Sequence, residues 1–282
     1  MHRLSAVPAD LRIYLLGPPR VEYSNGSLAI PRRQARALLY RLAADMQPIP
    51  RERLCYLFWP DESESSARRH LSHLITHLRL ALPDPQFFIF EGDQIGLSPQ
   101  RVWSDAAAFE SLCAGLTLPG SSHPIQDNRD QTPPVEMTSL EWVVGLYRGA
   151  FLEGFSLPSC AEFEEWIVQQ RYSLERLYLL GLEALIEQTT QQENFASAIR
   201  YAQRYLNTDP LAEDIHRRLI ELYAATGNRN AAMRQFELCT HALEQELGVS
   251  PLPETRAAYQ DLLEGRIALR RMAKPAWKPA PG

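Results

Sequence analysis

Lysine is almost missing from this 282-residue chain: the only two, Lys274 and Lys278, stand close to its end. Basic character therefore rests on arginine, whose planar fork suits phosphate and guanine, although a compositional bias would give the same excess. Cysteine is scarce. The four, Cys55, Cys113, Cys160 and Cys239, are far apart and form no C-x-x-C pair. That spacing argues against metal or redox roles and favours small buried apolar residues. No apolar run approaches the roughly 18 to 20 residues of a membrane span. The first residues, MHRLSAVPAD, lack the apolar core of a secretory signal. The expectation is a cytoplasmic protein with no membrane partner. A phosphate-cradling G-x-x-x-x-G-K-[ST] loop is also missing, so no nucleotide site of that kind and no cofactor is implied.

What remains is a globular composition, 45% hydrophobic and 22% charged, long enough for two domains. The net charge of −5 hides an asymmetry, because residues 32–79 hold 9 Arg against 5 acids. A local basic surface inside an acidic protein is what a polyanion feels.

Short strands open the chain. LRIYLL (11–16), RVEY (20–23) and LAI (28–30) alternate with turn residues, and Asn25–Gly26 signals a hairpin. Helical spacing follows over 34–44, with Ala35, Leu38, Leu39 and Leu42 on one face, and over 51–59. Ser63, Ser65 or Ser66 can cap a third helix. In SSARRHLSHLITHLRLAL (65–82), Ala67, Leu71, Leu74, Ile75, Leu78 and Leu82 form one apolar stripe. The opposite face has arginines, histidines, serine and threonine but no carboxylate. FFIFEGDQIGLS (87–98) then reads as two strands about a turn at Glu91–Gln94. Strands, three helices and a hairpin in this order make a winged helix-turn-helix. A further helix is expected over 105–115.

Residues 117–137 hold four prolines and little apolar content, the mark of a linker or disordered insertion. Beyond it the chain repeats. A shift of 34 residues aligns Leu185, Ile186, Glu187, Asn194 and Ala198 with Leu219, Ile220, Glu221, Asn228 and Ala232. That is the tetratricopeptide period, one helix pair per repeat. The expected fold is thus mainly α with a small β component, a winged helix followed by helical repeats. The expected divisions are a tail at 1–10, the winged helix at 11–116, a Pro-rich linker at 117–138, the repeats at 139–266 and a tail at 267–282.

Three N-terminal stretches, LLGPPRVEYSNGSLAIPRRQARALLYRLA, RERLCYLFWPDES and ARRHLSHLITHLRLAL, resemble the OmpR/PhoB-type winged helix of the SARP regulators. VWSDAAAFE (102–110) resembles the segment that closes that domain. LYRGAFLEGF (146–155), FEEWIVQQRYSLERLYLLGLEAL (163–185), DPLAEDIHRRLIELYAATGNRNAAMRQFELC (209–239) and ELGVSPLPETRAAYQDLL (246–263) resemble the bacterial transcriptional activation domain. The resemblance implies a sequence-specific activator that binds double-stranded DNA, often as a dimer on direct repeats, with RNA polymerase as a partner. Wings of the family commonly carry a basic or neutral tip; here the tip is EGDQ, with Glu91 and Asp93.

A helix entering the major groove needs a donor-rich face of this kind. Arg69, Ser72, His73 and Thr76 are the base-reading candidates. Arg68, His77 and Arg79, with Arg32, Arg33, Arg51 and Arg53 at neighbouring helix starts, are the phosphate candidates. The plainer reading of the same face is a solvated surface. His70, His73 and His77 lack a supporting Cys or acid in their helix for a zinc set. Glu162, Glu164 and Glu165 bunch at a helix start, where they favour its positive end. With no nucleophile constellation, the chain does not read as an enzyme. Trp59, Trp103, Trp142 and Trp166, like Tyr172, Tyr178, Tyr201, Tyr205 and Tyr223, are read as packing residues. The alternative function is a protein-interaction adaptor, or the sensory fragment of a larger signalling ATPase, that does not itself bind DNA.

Overall fold

The computed structural model describes residues 10–114 and 140–266. The Pro-rich linker, the C-terminal tail and all of the N-terminal tail except Asp10 lie outside the described residues. Two compact units divide between Tyr178 and Leu179.

The first unit begins with β1 (Leu11–Tyr14), β2 (Arg20–Tyr23) and β3 (Gly26–Ser27). Tyr23 pairs with Gly26, so the turn is centred on Ser24 and Asn25, one residue earlier than the Asn25–Gly26 signal suggested. Both central residues take positive φ, 47° and 67°, as a tight hairpin turn demands. The expected strand at 28–30 is not formed, although the Leu28 amide still donates to the Val21 carbonyl at 2.8 Å. Three helices follow: α1 (Arg33–Asp45), then, after the two-residue β4 (Ile49–Pro50), α2 (Arg51–Phe58) and α3 (Glu64–Ala81). The apolar faces expected for α1 and α3 are the buried ones, and Leu38, Leu42, Leu71, Leu74 and Leu78 are fully enclosed. Ser63 occupies the N-cap of α3 but makes no side-chain cap bond.

The wing is β5 (Phe88–Glu91) and β6 (Gln94–Leu97), paired from Phe88↔Leu97 to Glu91↔Gln94. It is tied back by the Ile49↔Ile95 pairing to β4. The chain then forms β7 (Val102–Ser104), which lies parallel to β1 and completes a sheet of order β3-β2-β1-β7. α4 (Asp105–Ala114) closes this part. At its start the buried Asp105 carboxylate accepts hydrogen bonds from the Leu15 and Leu16 amides at 2.7 and 3.2 Å. Burial pushes its pKa up from 3.8 to about 6, against the pull of those backbone donors.

Residues 140–178 belong to the same unit. α5 (Leu140–Leu146) packs on α4, and residues 150–153 ladder onto the end of β1. Leu152 N donates to Leu15 O at 2.8 Å and Gly17 N donates to Ala150 O at 3.1 Å. A Cβ on Gly149 would come within 3.1 Å of the Gly17 Cα, and Gly17 itself takes a φ of 104°, which side chains rarely adopt. Aromatic contacts complete the join. Tyr40 meets Phe155 edge-on at 5.1 Å, and Phe58 stacks on Phe163 at 5.4 Å. Phe163 lies on α6 (Ala161–Gln191), a single helix that runs on past Tyr178.

The second unit contains the end of α6 and α7 (Phe195–Thr208), α8 (Glu213–Ala225), α9 (Arg229–Leu247) and α10 (Pro253–Leu263). The 34-residue period is expressed atom by atom. Asn194 Oδ1 accepts from Ser197 N at 3.3 Å, and Asn228 Oδ1 accepts from Ala231 N at 3.2 Å. The preceding residues, Glu193 and Gly227, both have positive φ. Ala198 and Ala232 are wholly buried. Ile220, Ala232 and Leu262 anchor a core extended by Tyr223, Met233, Phe236 and Tyr259. Of the tyrosines expected to pack, Tyr178, Tyr201 and Tyr205 are buried. Tyr172 is a correction: at 73% exposure it projects from α6 without a covering element. The overall class is as expected, mainly α with a small β component.

Candidate nucleic-acid interface

The geometry of α3 follows from its apolar stripe. With Leu71, Leu74, Ile75 and Leu78 held in the core, Arg69, Ser72, His73 and Thr76 must point outward, and all four are exposed. Together with Arg68 they line one shallow, open depression. Ser72 Oγ donates to Arg68 O, and Thr76 Oγ1 donates to Ser72 O, each at 2.9 Å. Their hydroxyl protons are thus directed at the helix backbone, which leaves oxygen lone pairs outward as acceptors. Leu80, at 81% exposure, continues the i, i+4, i+7, i+11 spacing of Arg69, His73 and Thr76. In the sequence alone an isolated leucine at a helix end looks like core, and nothing else there marks Leu80 as exposed.

The phosphate candidates are dispersed. Arg32 and Arg53 are exposed at the starts of α1 and α2, and His77 is exposed on α3. Arg33 is turned elsewhere: its Nη2 donates to Ser156 Oγ at 3.2 Å, and its guanidinium lies 5.6 Å from the Phe155 ring centre. Arg79 stands over the wing residue Phe90 at 4.8 Å. Arg68 is held by two carboxylates. Its Nε donates to Glu64 Oε1 at 2.9 Å, and its Nη1 and Nη2 donate to Asp93 Oδ1 and Oδ2 at 3.2 and 3.3 Å. Its hydrogen bonds to Asp93, then to Glu64, raise its pKa above the usual guanidinium value. Arg51 Nε is 3.8 Å from Asp93 Oδ1, and its amide donates to the Asp93 carbonyl at 2.9 Å. The acidic wing tip therefore has cationic neighbours within the fold.

His70, the first histidine of α3, lies with Nδ1 3.0 Å from Glu62 Oε2 and its ring beside Trp59. Among the described residues no group of three or more His, Cys, Asp or Glu side chains is placed to hold a metal ion. No helix there is long and apolar enough to cross a membrane. All four cysteines are buried.

A basic helix presented by a three-helix unit, flanked by a sheet and a wing, followed by helix-pair repeats, defines a class: winged-helix proteins with a tetratricopeptide-like domain. The comparisons with known proteins narrow it. Residues 125–263 match the bacterial transcriptional activator domain. The regulatory protein AfsR of Streptomyces griseus is 24% identical over 283 residues, which cover 99% of the chain and 27% of that protein. The chain thus spans about a quarter of that relative's length. The solved structure of Mycobacterium tuberculosis EmbR in complex with a low-affinity phosphopeptide has the same fold, with a TM-score of 0.59 and 18% identity. That likeness covers 91% of this chain and 65% of EmbR. In architecture, a winged helix followed by a match to the bacterial transcriptional activator domain, the chain resembles the SARP-type transcriptional regulators.

Proposed function

We propose that α3 enters the major groove of promoter DNA and that the protein activates transcription from the bound site. One observation carries this: Arg69, Ser72, His73 and Thr76 converge on one exposed, carboxylate-free depression of a helix whose other face is core. Arg69 can fork onto the two acceptors of guanine. Ser72 and Thr76, with acceptor lone pairs outward, suit the amino groups of adenine or cytosine. Leu80 is placed for apolar contact with a thymine methyl. Arg32, Arg53 and His77 serve phosphate, which fixes register without reading sequence.

The winged helix, residues 11–116, is the DNA-binding part in this proposal, with residues 140–178 as its buttress. The repeats carry self-association on direct repeats or contact with RNA polymerase. The test is genome-wide mapping of bound DNA followed by gel shift on the strongest site. Arg69→Ala and His73→Ala should each lower affinity for that site by about 1–3 kcal/mol. Folding should hold, because neither side chain is part of the core. Undiminished affinity and site preference in the double variant would remove these residues from base reading.

A further inference from the structure

We propose that Asp93 is a specificity-determining positioning residue: it withholds Arg68 and Arg51 from phosphate, so that contact with non-cognate DNA is weakened more than contact with the operator. The inference rests on the DNA-binding reading above and concerns the wing, to which that reading gives no role.

A guanidinium forks onto phosphate or guanine through two adjacent N–H groups. In Arg68 the end-on fork is already closed on both oxygens of Asp93, and Nε is given to Glu64. It cannot make a second end-on fork until Asp93 lets go. The same carboxylate faces Arg51 Nε at 3.8 Å, while the Arg51 amide on the Asp93 carbonyl keeps the wing tip in register with the start of α2. One side chain thus gathers two cations that the sequence assigned to phosphate. It leaves Arg69, Ser72, His73 and Thr76 untouched.

The consequence is unequal for the two kinds of DNA. Non-specific binding is almost entirely phosphate charge, whereas an operator adds base contacts. Taking two cations out of the phosphate set therefore removes a larger share of the non-specific interaction. Asp93 and Arg68 keep 55% and 41% of their side-chain surfaces in water, so the pair is one that a well-placed phosphate can open. Glu91 lies on the same wing tip but forms no ion pair among the described residues. It offers a control of equal charge without the clasp.

The test uses the full chain as wild type, Asp93→Asn and Glu91→Gln, with far-ultraviolet circular dichroism to confirm folding. Affinities are measured for a random-sequence duplex and for the strongest mapped genomic site, from about 50 to about 200 mM salt. With Asp93→Asn, the logarithmic salt slope for random DNA should steepen by about one to two, one counterion for each arginine released. Binding to random DNA at the low-salt end should tighten by roughly ten-fold, and the preference for the genomic site should fall accordingly. Glu91→Gln should leave the slope near that of the wild type. Wild-type DNA binding with an unchanged slope in Asp93→Asn would overturn this inference and leave the DNA-binding reading standing. A Glu91→Gln effect equal to that of Asp93→Asn would overturn it too, by reducing it to general charge. Binding by Asp93→Asn alone would support the masking role, and no binding by any of the three proteins would overturn both readings.

Discussion

Asp105 sets up a measurable conflict between folding and charge. Its carboxylate is 1% exposed and sits where β1 ends and α4 begins, on the Leu15 and Leu16 amides. Burial outweighs those donors and lifts its pKa from 3.8 to about 6. The folded protein therefore holds this proton more tightly than the unfolded chain does. Its contribution to stability is complete below about pH 4 and is lost as the pH rises through about 6. A shift of roughly two units is worth about 3 kcal/mol. Asp105→Asn keeps the shape and one acceptor but cannot ionise. Urea unfolding should be followed by tryptophan fluorescence, since Trp59, Trp103, Trp142 and Trp166 all lie in the first unit. Wild-type stability minus that of Asp105→Asn should fall by about 2–2.5 kcal/mol between pH 4 and pH 7.5. Titrations common to both proteins cancel in the difference. A difference that stays flat, or rises with pH, would refute the claim that burial dominates the backbone donors at this site.

Other outcomes follow from the packing. Leu74→Ala should destabilise the first unit by about 2–5 kcal/mol in urea unfolding, because the leucine is fully enclosed beneath the proposed reading face. Asn194→Ala and Asn228→Ala remove equivalent caps, so each should cost about 1 kcal/mol, and similar losses in thermal unfolding would test the equivalence of the two repeats. Residues 10–178 should bind the mapped DNA site more tightly than residues 1–116 in a gel shift, because the shorter fragment strips Phe155 from Tyr40 and Phe163 from Phe58. Equal affinity and equal thermal stability of the two fragments would show that the buttress adds nothing.

Local features were the legible ones. The α3 stripe repeats at helical spacing, so its buried and exposed faces could be assigned before any coordinates. The period of 34 likewise revealed two helix pairs, because Asn194 and Asn228 perform one capping task in each. The hairpin signal was correct in kind and displaced by one residue, since Ser24 takes the left-handed backbone that favours Gly or Asn. What escaped was everything made by distant partners. Asp105 meets amides 89 and 90 positions away, and Asp93 meets Arg68 across 25. Nothing in the spacing of either acid marks such a meeting. The return of residues 150–153 to β1 was hidden for the same reason, behind a Pro-rich stretch that reads as a break.

That return brings together the two described ends that flank the Pro-rich stretch. The helices on either side, α4 and α5, pack on each other within one unit, so residues 115–139 join two points that the fold already holds together. Such a segment closes a loop, and the entropy of closure grows only logarithmically: doubling its length costs about 0.6 kcal/mol. A chain cut there would keep its two ends in place through the Leu15–Leu152 and Gly17–Ala150 hydrogen bonds and the aromatic contacts beneath them. Length and composition between Ala114 and Leu140 are therefore free to drift, while Gly17 and Gly149, on the ladder that closes the loop, are not.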